Sequence, residues 1–557
     1  MQSENAHWLP DIPRWLVWVI AFYFGFYQLG GYAVLDNNEG LYAEIAREML
    51  HGSSWRDWVI PHLNGLSYME KPPLLYWLTA LSFLVFGESE WSVRLVPALA
   101  FLGCVALMMR FAKSCGRDRA GKLAAVIFAS GLGVTVMART LMFDMLLTVF
   151  LVGAIMNAYF WFERRQSRYY YRTMALLALA LLAKGFVALI LFAAVMGAYT
   201  LLTSVSVAGF FQSLMQWFRW RGILLFLLIA APWHIAATLA EPIFAWFYFI
   251  NEHVLRFLGK REPHDYYSGS WWYYLPRMLV FLFPWSFFLP VLFRFRKQRV
   301  RLGAHLLMFL AWAMPLLFFS VSSAKANYYL VTTMPLAAVQ LAFLLEDLMP
   351  LRSQWLTLPA VIFVPLTAIL LYKLHTLRHP FWESVQVGGV QLPHFLAVGL
   401  LLCLAAAVLA AILAFRGRRV GIYGYALIPA IMLPFLIEVL KVTNDYTSTR
   451  SIVSYVKQAQ PERELFLFLV FEQQSSLPFY LKQPVRIVDS RSADLFWGNK
   501  LHANDIVIDD AAFGAVLSSQ PVLLLVTRPD LADFGQRPYA SQFKLLQRIG
   551  DTSIFSN

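Results

Sequence analysis

Charge is what this chain has least of: 14% of its residues are Asp, Glu, Lys or Arg against 59% hydrophobic. That is more apolar surface than a water-soluble core could bury, which excludes a soluble globular protein and leaves a polytopic membrane protein. Cysteine is scarcer still. Cys104, Cys115 and Cys403 are the three in the chain, all in or beside apolar segments, so neither a disulfide framework nor a cysteine metal site is expected. No internal repeat and no low-complexity segment is present. The net charge of +13 does not mark a nucleic-acid partner, because the basic residues sit in short loops between apolar runs, where positive charge reports a cytoplasmic side. Such clusters occur at Arg110/Lys113/Arg117/Arg119/Lys122, Arg164/Arg165/Arg168/Arg172, Arg219/Arg221, Arg294/Arg296/Lys297/Arg299/Arg301 and Arg416/Arg418/Arg419.

A membrane span needs roughly 20 apolar residues. Such windows fall near 14–34, 91–113, 120–137, 141–163, 170–183, 187–204, 222–238, 272–293, 303–320, 327–346, 355–373, 393–415 and 420–440, thirteen in all. The first carries Arg14 but no small-residue cleavage site, so it reads as an uncleaved helix. With Arg14 inside, every basic cluster falls on the cytoplasmic side and the odd count sends the C-terminal tail outside. Residues 72–87, "PPLLYWLTALSFLVFG", are short for a span; they read as a helix on the outer side, with Pro72 and Pro73 suited to its first turn.

This threading collects the unusual polar residues on one side. The loop 35–71 carries Asp36, Glu39, Asp57, His62, Glu70 and Lys71. Arg139 and Asp144 lie at the outer end of a span, and Lys184 sits at an outer turn. Residues 239–271 add Glu252, His253, Arg256, Lys260, Arg261 and His264, and the turn 321–329 adds Lys325 and Tyr329. Charge beside hydrocarbon persists where a cavity or a partner compensates it, so it marks a site. Bland readings exist: "AREML" as an interfacial helix with Glu44, Arg47 and Glu48 solvated, Lys71 and Lys184 snorkelling to water, His253 and His264 as loop residues, and Tyr329 as an interfacial aromatic. Asp144, three residues into an apolar helix, has the fewest such excuses. Cations suit a phosphate, while carboxylates suit proton removal or a sugar-like cationic transition state. On an outer membrane face the simplest phosphate is attached to a lipid.

Beyond about residue 445 the composition changes. "ELFLFLVF", "PVRIVD", "NDIVID" and "PVLLLVT" read as short strands and "DDAAFGAVLSSQ" as a helix. A small α/β domain over 445–557 is expected after a membrane domain over 1–444 whose first outer loop is 35–90. The tail has no Gly-rich phosphate loop and no triad spacing.

"NEGLYAEIAREML", "DWVIPHLNGLSYMEKPPLLYW", "RTLMFDMLLT", "LLAKGF", "NEHVLRF", "WWYYLP" and "FFSVSSAKANYYL" together resemble, in order and spacing, the bacterial aminoarabinose transferases that modify lipid A. Those belong to the protein-mannosyltransferase-like GT-C glycosyltransferases. The resemblance implies a GT-C fold with thirteen spans in the bacterial inner membrane, and transfer of a sugar from an undecaprenyl phosphate donor to a periplasmic acceptor such as lipid A. It implies a catalytic role for Asp144 and sets the family's first-loop catalytic motif on Asn38 and Glu39, with Asp36, two positions earlier, a further catalytic candidate. It implies that Lys71 holds donor phosphate and that Lys325 and Tyr329 form the family's Lys-x-x-x-Tyr turn at the substrate; Tyr42, Arg139, Lys184 and Arg256, polar groups at the same outer face, are further substrate-binding candidates. A divalent ion would have Glu70 and His253 as ligands; no cofactor is otherwise implied.

One motif departs from the family. Its first-loop pattern reads Asp-Glu-x-Arg-Tyr-Ala-Glu, whereas this chain has Asn38 and Leu41 at the Asp and Arg positions. Two accounts are open: Asp36 takes the role, or a phosphate acceptor, already an anion, needs no base there. The other function classes are a transferase acting on a protein hydroxyl or another glycan, and a secondary transporter. A transporter would hold its ionisable groups at the midplane between matching broken helices, a pattern the sequence lacks.

Overall fold

The computed structural model describes residues 9–264, 269–289, 302–348, 356–376, 385–416 and 418–557. Apolar runs become helices here because backbone removed from water must bond to itself. Among the described residues eight helices are long and apolar enough to cross a membrane, or nine if the bent pair Asp118–Ala129 and Leu132–Ala138 is one span. That pair replaces the straight span expected at 120–137. It bends by 72° where the Leu132 N–H leaves the helix ladder to donate to the Phe283 carbonyl at 3.1 Å, the usual origin of a sharp kink.

The first expected span also ends early. Its helix covers Arg14–Phe26, because the chain beyond it is held by two arginines. Arg139 donates to the Phe24, Tyr27 and Gln28 carbonyls at 3.3, 2.6 and 3.0 Å, and Arg94 takes those of Leu29, Tyr32 and Ala33 at 2.7–3.0 Å. Cations satisfying the last carbonyls of a helix also suit the negative end of its dipole. Of the span expected at 272–293, the helix covers Tyr274–Phe281. The basic cluster Arg294 to Arg301 lies outside the described residues.

The outer loop folds into two helices. Asn38–His51 is the first; Leu74–Phe86, thirteen residues, is the second, about 20 Å long and short of a hydrocarbon core of about 30 Å. It stops at Gly87, whose φ of +75° only glycine adopts easily, and Ser89 opens the next helix, Glu90–Ser114, with a reciprocal Ser89/Ser92 cap. Within the first helix Glu44 and Arg47 are not solvated. They form a buried two-bond pair at 2.6 and 2.7 Å, because the helix is covered on both sides.

Part of that cover is the tail. Its strands β1 (Glu464–Phe468), β2 (Arg486–Val488), β3 (Val507–Ile508), β4 (Val522–Thr527), β5 (Lys544–Ile549) and β6 (Thr552–Ser556) form one sheet in the order β3-β2-β1-β4-β6-β5. The first four are parallel and the last two close an antiparallel hairpin. Alternation sets the two faces. Leu467, Ile487, Leu523 and Leu525 join the core of the membrane part, whereas Phe466, Phe468, Leu524 and Val526 pack with Phe513 of the helix Asp510–Ser519. Gly40 permits this docking: a Cβ there would lie 2.6 Å from the Ser476 nitrogen.

The ends of the bundle are distinguishable. Arg14 pairs with Asp118 at 2.8 Å and Tyr423 donates to the Pro10 carbonyl at 3.4 Å at one end. The start of Phe143–Arg164, the end of Ser167–Lys184 and the loop helices lie at the other.

Candidate active site: a charged cavity with an apolar mouth

At that second end lies a cavity of about 1010 Å³. Asn38 and Tyr42 reach it from the loop helix, with the Tyr42 hydroxyl donating to Asn38 Oδ1 at 3.2 Å. Glu70 and Lys71 come from the stretch before Leu74, and Asp144 from the first turn of Phe143–Arg164. Lys184 is the last residue of its helix. Gly185, at φ +86°, turns the chain there, and a Cβ on it would lie 2.6 Å from His253 Nε2. A π-helical stretch, Trp246–Leu255, brings Glu252 and His253; such irregular turns recur at functional sites. The tail supplies Glu472 and Asp494.

The charges are interleaved. Lys184 is ion-paired with Asp144 and sits 4.5 Å over the Tyr329 ring. Lys71 lies 3.3 Å from Glu252 and 3.6 Å from Glu70, Arg256 bonds Glu252 at 2.9 Å, and Arg261 is paired with both Glu70 and Glu252. Burial pushes the Glu252 carboxyl up, but Lys71, Arg261 and Arg256 outweigh it and hold Glu252 well below the usual carboxylate range. On the tail's side the balance reverses: burial first, then Glu70 and Glu472, raises Asp494 well above its ordinary value, and burial raises Glu472. Away from the charges the wall is Val187, Ile190, Phe249, Val254, Phe257 and Phe318, of which Ile190, Val254 and Phe257 are exposed. The cavity is thus a nest of charge with an apolar mouth.

Nine of the thirteen sequence-derived site residues line it: Asn38, Tyr42, Glu70, Lys71, Asp144, Lys184, His253, Arg256 and Tyr329. Four do not line it, because each is engaged elsewhere. Glu39 is 2% exposed and spent on structure: Arg94 donates to it at 2.7 and 2.9 Å, with the Leu35 and Leu141 amides completing its shell. Arg139 caps carbonyls as described above. Lys325 turns back onto the end of the preceding helix, Leu302–Val321, donating to the Phe319, Ser320 and Ser322 carbonyls at 2.6–2.9 Å. Asp36 faces the tail, accepting from the Ser476 N–H at 2.9 Å and hydroxyl at 2.7 Å.

Asp36 has its own consequence. Burial lifts its carboxyl to about 7 despite the Ser476 bonds. A carboxyl whose folded value exceeds its unfolded one stabilises the fold fully below the unfolded value, about 4, and that contribution is lost as pH rises through about 7. Docking of the tail on the first loop therefore weakens across that window. Asp36→Asn, which keeps an acceptor for Ser476, flattens the pH dependence of the unfolding midpoint; an unchanged slope removes Asp36 as its source.

A divalent ion on Glu70 and His253 does not fit the donors. His253 Nε2 accepts the Phe186 N–H at 3.1 Å and Nδ1 meets the Tyr248 carbonyl at 2.5 Å, while Glu70 is engaged by Arg261 and by the Tyr68 hydroxyl. Among the described residues no group of three His, Cys, Asp or Glu is placed to hold a metal. Sequence reasoning missed Arg94, Glu472 and Asp494 altogether. An arginine inside "EWSVRLVPALAF" was a signal for the first; the other two carried none.

A family model for dolichyl-phosphate-mannose-protein mannosyltransferases matches residues 70–235, which contain Glu70, Lys71, Asp144 and Lys184. The crystal structure of ArnT from Cupriavidus metallidurans bound to undecaprenyl phosphate superposes with a TM-score of 0.79 over 98% of this chain and 97% of that one, at 23% identity. By fold, the chain is a GT-C membrane protein. Curated relatives of this GT-C protein include undecaprenyl phosphate-alpha-4-amino-4-deoxy-L-arabinose arabinosyl transferases. That of Serratia proteamaculans is 29% identical over 65% of this chain and 66% of its own length. That of Aeromonas hydrophila is 32% identical over 59% of this chain and 60% of its own. The chain thus spans about two thirds or less of the curated relatives it matches.

Proposed function

We propose that this chain is a glycosyltransferase that moves a sugar from undecaprenyl phosphate to a lipid A phosphate, the sugar being an aminoarabinose. The observation that carries the reading is the cavity: cations converge at one end of a pocket whose other wall is apolar and open at its mouth. In this reading the chain has thirteen spans and sits in the bacterial inner membrane, its N-terminus cytoplasmic and its tail, residues 445–557, periplasmic.

The acceptor phosphate oxygen forms a bond to the anomeric carbon as the bond from that carbon to the donor phosphate breaks, and undecaprenyl phosphate leaves with the electron pair. Lys71 and Arg256 hold the leaving phosphate, Lys71 as a point charge and Arg256 as a fork. Asp144, paired with Lys184, orients the reacting groups. No strong base is needed at Asn38, because an ionised phosphate is already the nucleophile. Side-chain cations hold the phosphate.

The acid surplus fits an amine. Glu70, Asp144, Glu252, Glu472 and Asp494 line the cavity against Lys71, Lys184, Arg256 and Arg261: five carboxyls, four cations, before any phosphate enters. The buried Glu472 Oε2 has no hydrogen-bond partner among the described residues. A sugar ammonium there replaces the proton that burial favours on Glu472 and Asp494. Glu472→Gln then raises KM for the amine-bearing donor by about 10- to 100-fold, the worth of a charged hydrogen bond, and leaves KM for a hydroxyl-bearing analogue unchanged. Equal effects on both donors remove the amine contact.

The activity itself is tested on purified protein in nanodiscs with labelled donor. Release of undecaprenyl phosphate that depends on lipid A, with label on lipid A, supports the reading. Label on a peptide hydroxyl instead moves the acceptor to protein, and movement of intact donor without release makes the chain a transporter.

A further inference from the structure

A second cavity, about 390 Å³, opens between the helices Glu90–Ser114, Phe143–Arg164 and Ser167–Lys184. It is not an extension of the first. Asn157 in its wall is thirteen residues along one helix from Asp144, about 20 Å at 1.5 Å per residue, towards the end where Arg14 meets Asp118. Its floor is apolar, formed by Leu107, Phe111, Met156 and Leu176. Its rim carries Arg110 and Arg172, both exposed, and neither has a hydrogen bond or an ion pair among the described residues. No carboxylate lines it. Tyr169, also in the wall, has its hydroxyl occupied by Arg164 at 3.0 Å and Arg168 at 3.3 Å, which sets a second rank of positive charge behind the first.

Arginines at the opposite end of the bundle find partners: Arg94 a carboxylate, Arg139 carbonyls, Arg256 and Arg261 carboxylates. Here two exposed arginines face a cleft with an apolar floor between three helices. The geometry points to a binding site for one anionic phospholipid of the leaflet opposite the charged cavity, its phosphate between Arg110 and Arg172 and an acyl chain along Leu107, Met156 and Leu176. A free inorganic anion would leave the floor unused, and a zwitterionic headgroup would bring a cation against four arginines. Basic pockets between spans select such headgroups. The inference rests on the membrane-spanning fold and is independent of the reaction assigned to the other end.

The test uses the full chain in nanodiscs of phosphatidylcholine with and without phosphatidylglycerol. Phosphatidylglycerol raises the unfolding midpoint of the parent protein, and the rise is lost in Arg110→Gln/Arg172→Gln. It is kept in Arg416→Gln/Arg418→Gln, which removes the same charge from the same end of the bundle. Each basic group near an anionic surface gives about fivefold in affinity, so the first pair weakens phosphatidylglycerol retention by about 30-fold. No rise in the parent, or equal loss in both double variants, overturns the site and leaves only diffuse attraction. Should the first variant fail to fold, photoreactive phosphatidylglycerol on the parent protein decides: labelling within residues 107–111 and 172–176 supports the site, and labelling confined elsewhere overturns it.

Discussion

Lys71→Ala abolishes sugar transfer, lowering kcat by about 10²- to 10³-fold, the scale for removing one preorganised charge from a developing anion, while the protein still folds. The loss falls on kcat more than on KM, because the departing phosphate gains charge only as the anomeric bond breaks. Folding survives for a reason visible in the ion pairs. Lys71 shares Glu252 with Arg256 and Arg261, and shares Glu70 with Arg261, so its removal leaves neither carboxylate unpaired. The checks are single-turnover release of undecaprenyl phosphate and the unfolding midpoint, measured on the same preparation. Activity above one tenth of the parent's, with the fold intact, would show that Arg256 and Arg261 suffice and that Lys71 is part of the wall only.

Lys71 and Arg139 show how far residue type and position carry an inference. Both are cations at the same membrane face, where charge beside hydrocarbon needs compensation, and both are substrate-binding candidates from the sequence, Lys71 also by the family motif. That premise holds for each. What composition does not contain is the identity of the compensating group. Lys71 meets carboxylates across a cavity, whereas Arg139 meets the carbonyls at the end of the first helix, and Lys325 those at the end of the helix before it. Helix ends expose carbonyls by geometry, so cations next to predicted helix ends are ambiguous. The membrane helices, the outer helix at Leu74–Phe86 and the four parallel strands were legible because each rests on a local period. The hairpin Lys544–Ile549/Thr552–Ser556 had a turn signal in Gly550-Asp551 that went unread. Glu472 and Asp494 were not legible: they reach the cavity from a sheet more than three hundred residues beyond Asp144, and that approach depends on Gly40 admitting Ser476, a tertiary fit with no local pattern.

Glu39 is the residue on which the two kinds of reasoning part most sharply, and Arg94 is the means to separate them. Arg94 is fully buried, stacked 3.7 Å over the Tyr32 ring, and makes five hydrogen bonds: two to Glu39 and three to the carbonyls of Leu29, Tyr32 and Ala33. Glu39 in turn holds the Leu35 and Leu141 amides, which joins the end of the first helix, the start of the loop helix and the approach to Asp144. Removing one partner of a buried ion pair strands the other and costs about 3–5 kcal/mol. Three carbonyls lose their donors as well, each unsatisfied buried group costing roughly 1–3 kcal/mol. Arg94→Ala therefore lowers the yield of folded protein and the unfolding midpoint steeply, and activity falls in proportion to the folded fraction. Arg94→Met paired with Glu39→Met, which removes both charges at similar volume, recovers part of the lost stability, because buried ion pairs are often replaceable by packing. If Glu39 acted on substrate, the double variant would fold and remain inactive. Recovery of transfer along with the fold assigns the pair to architecture.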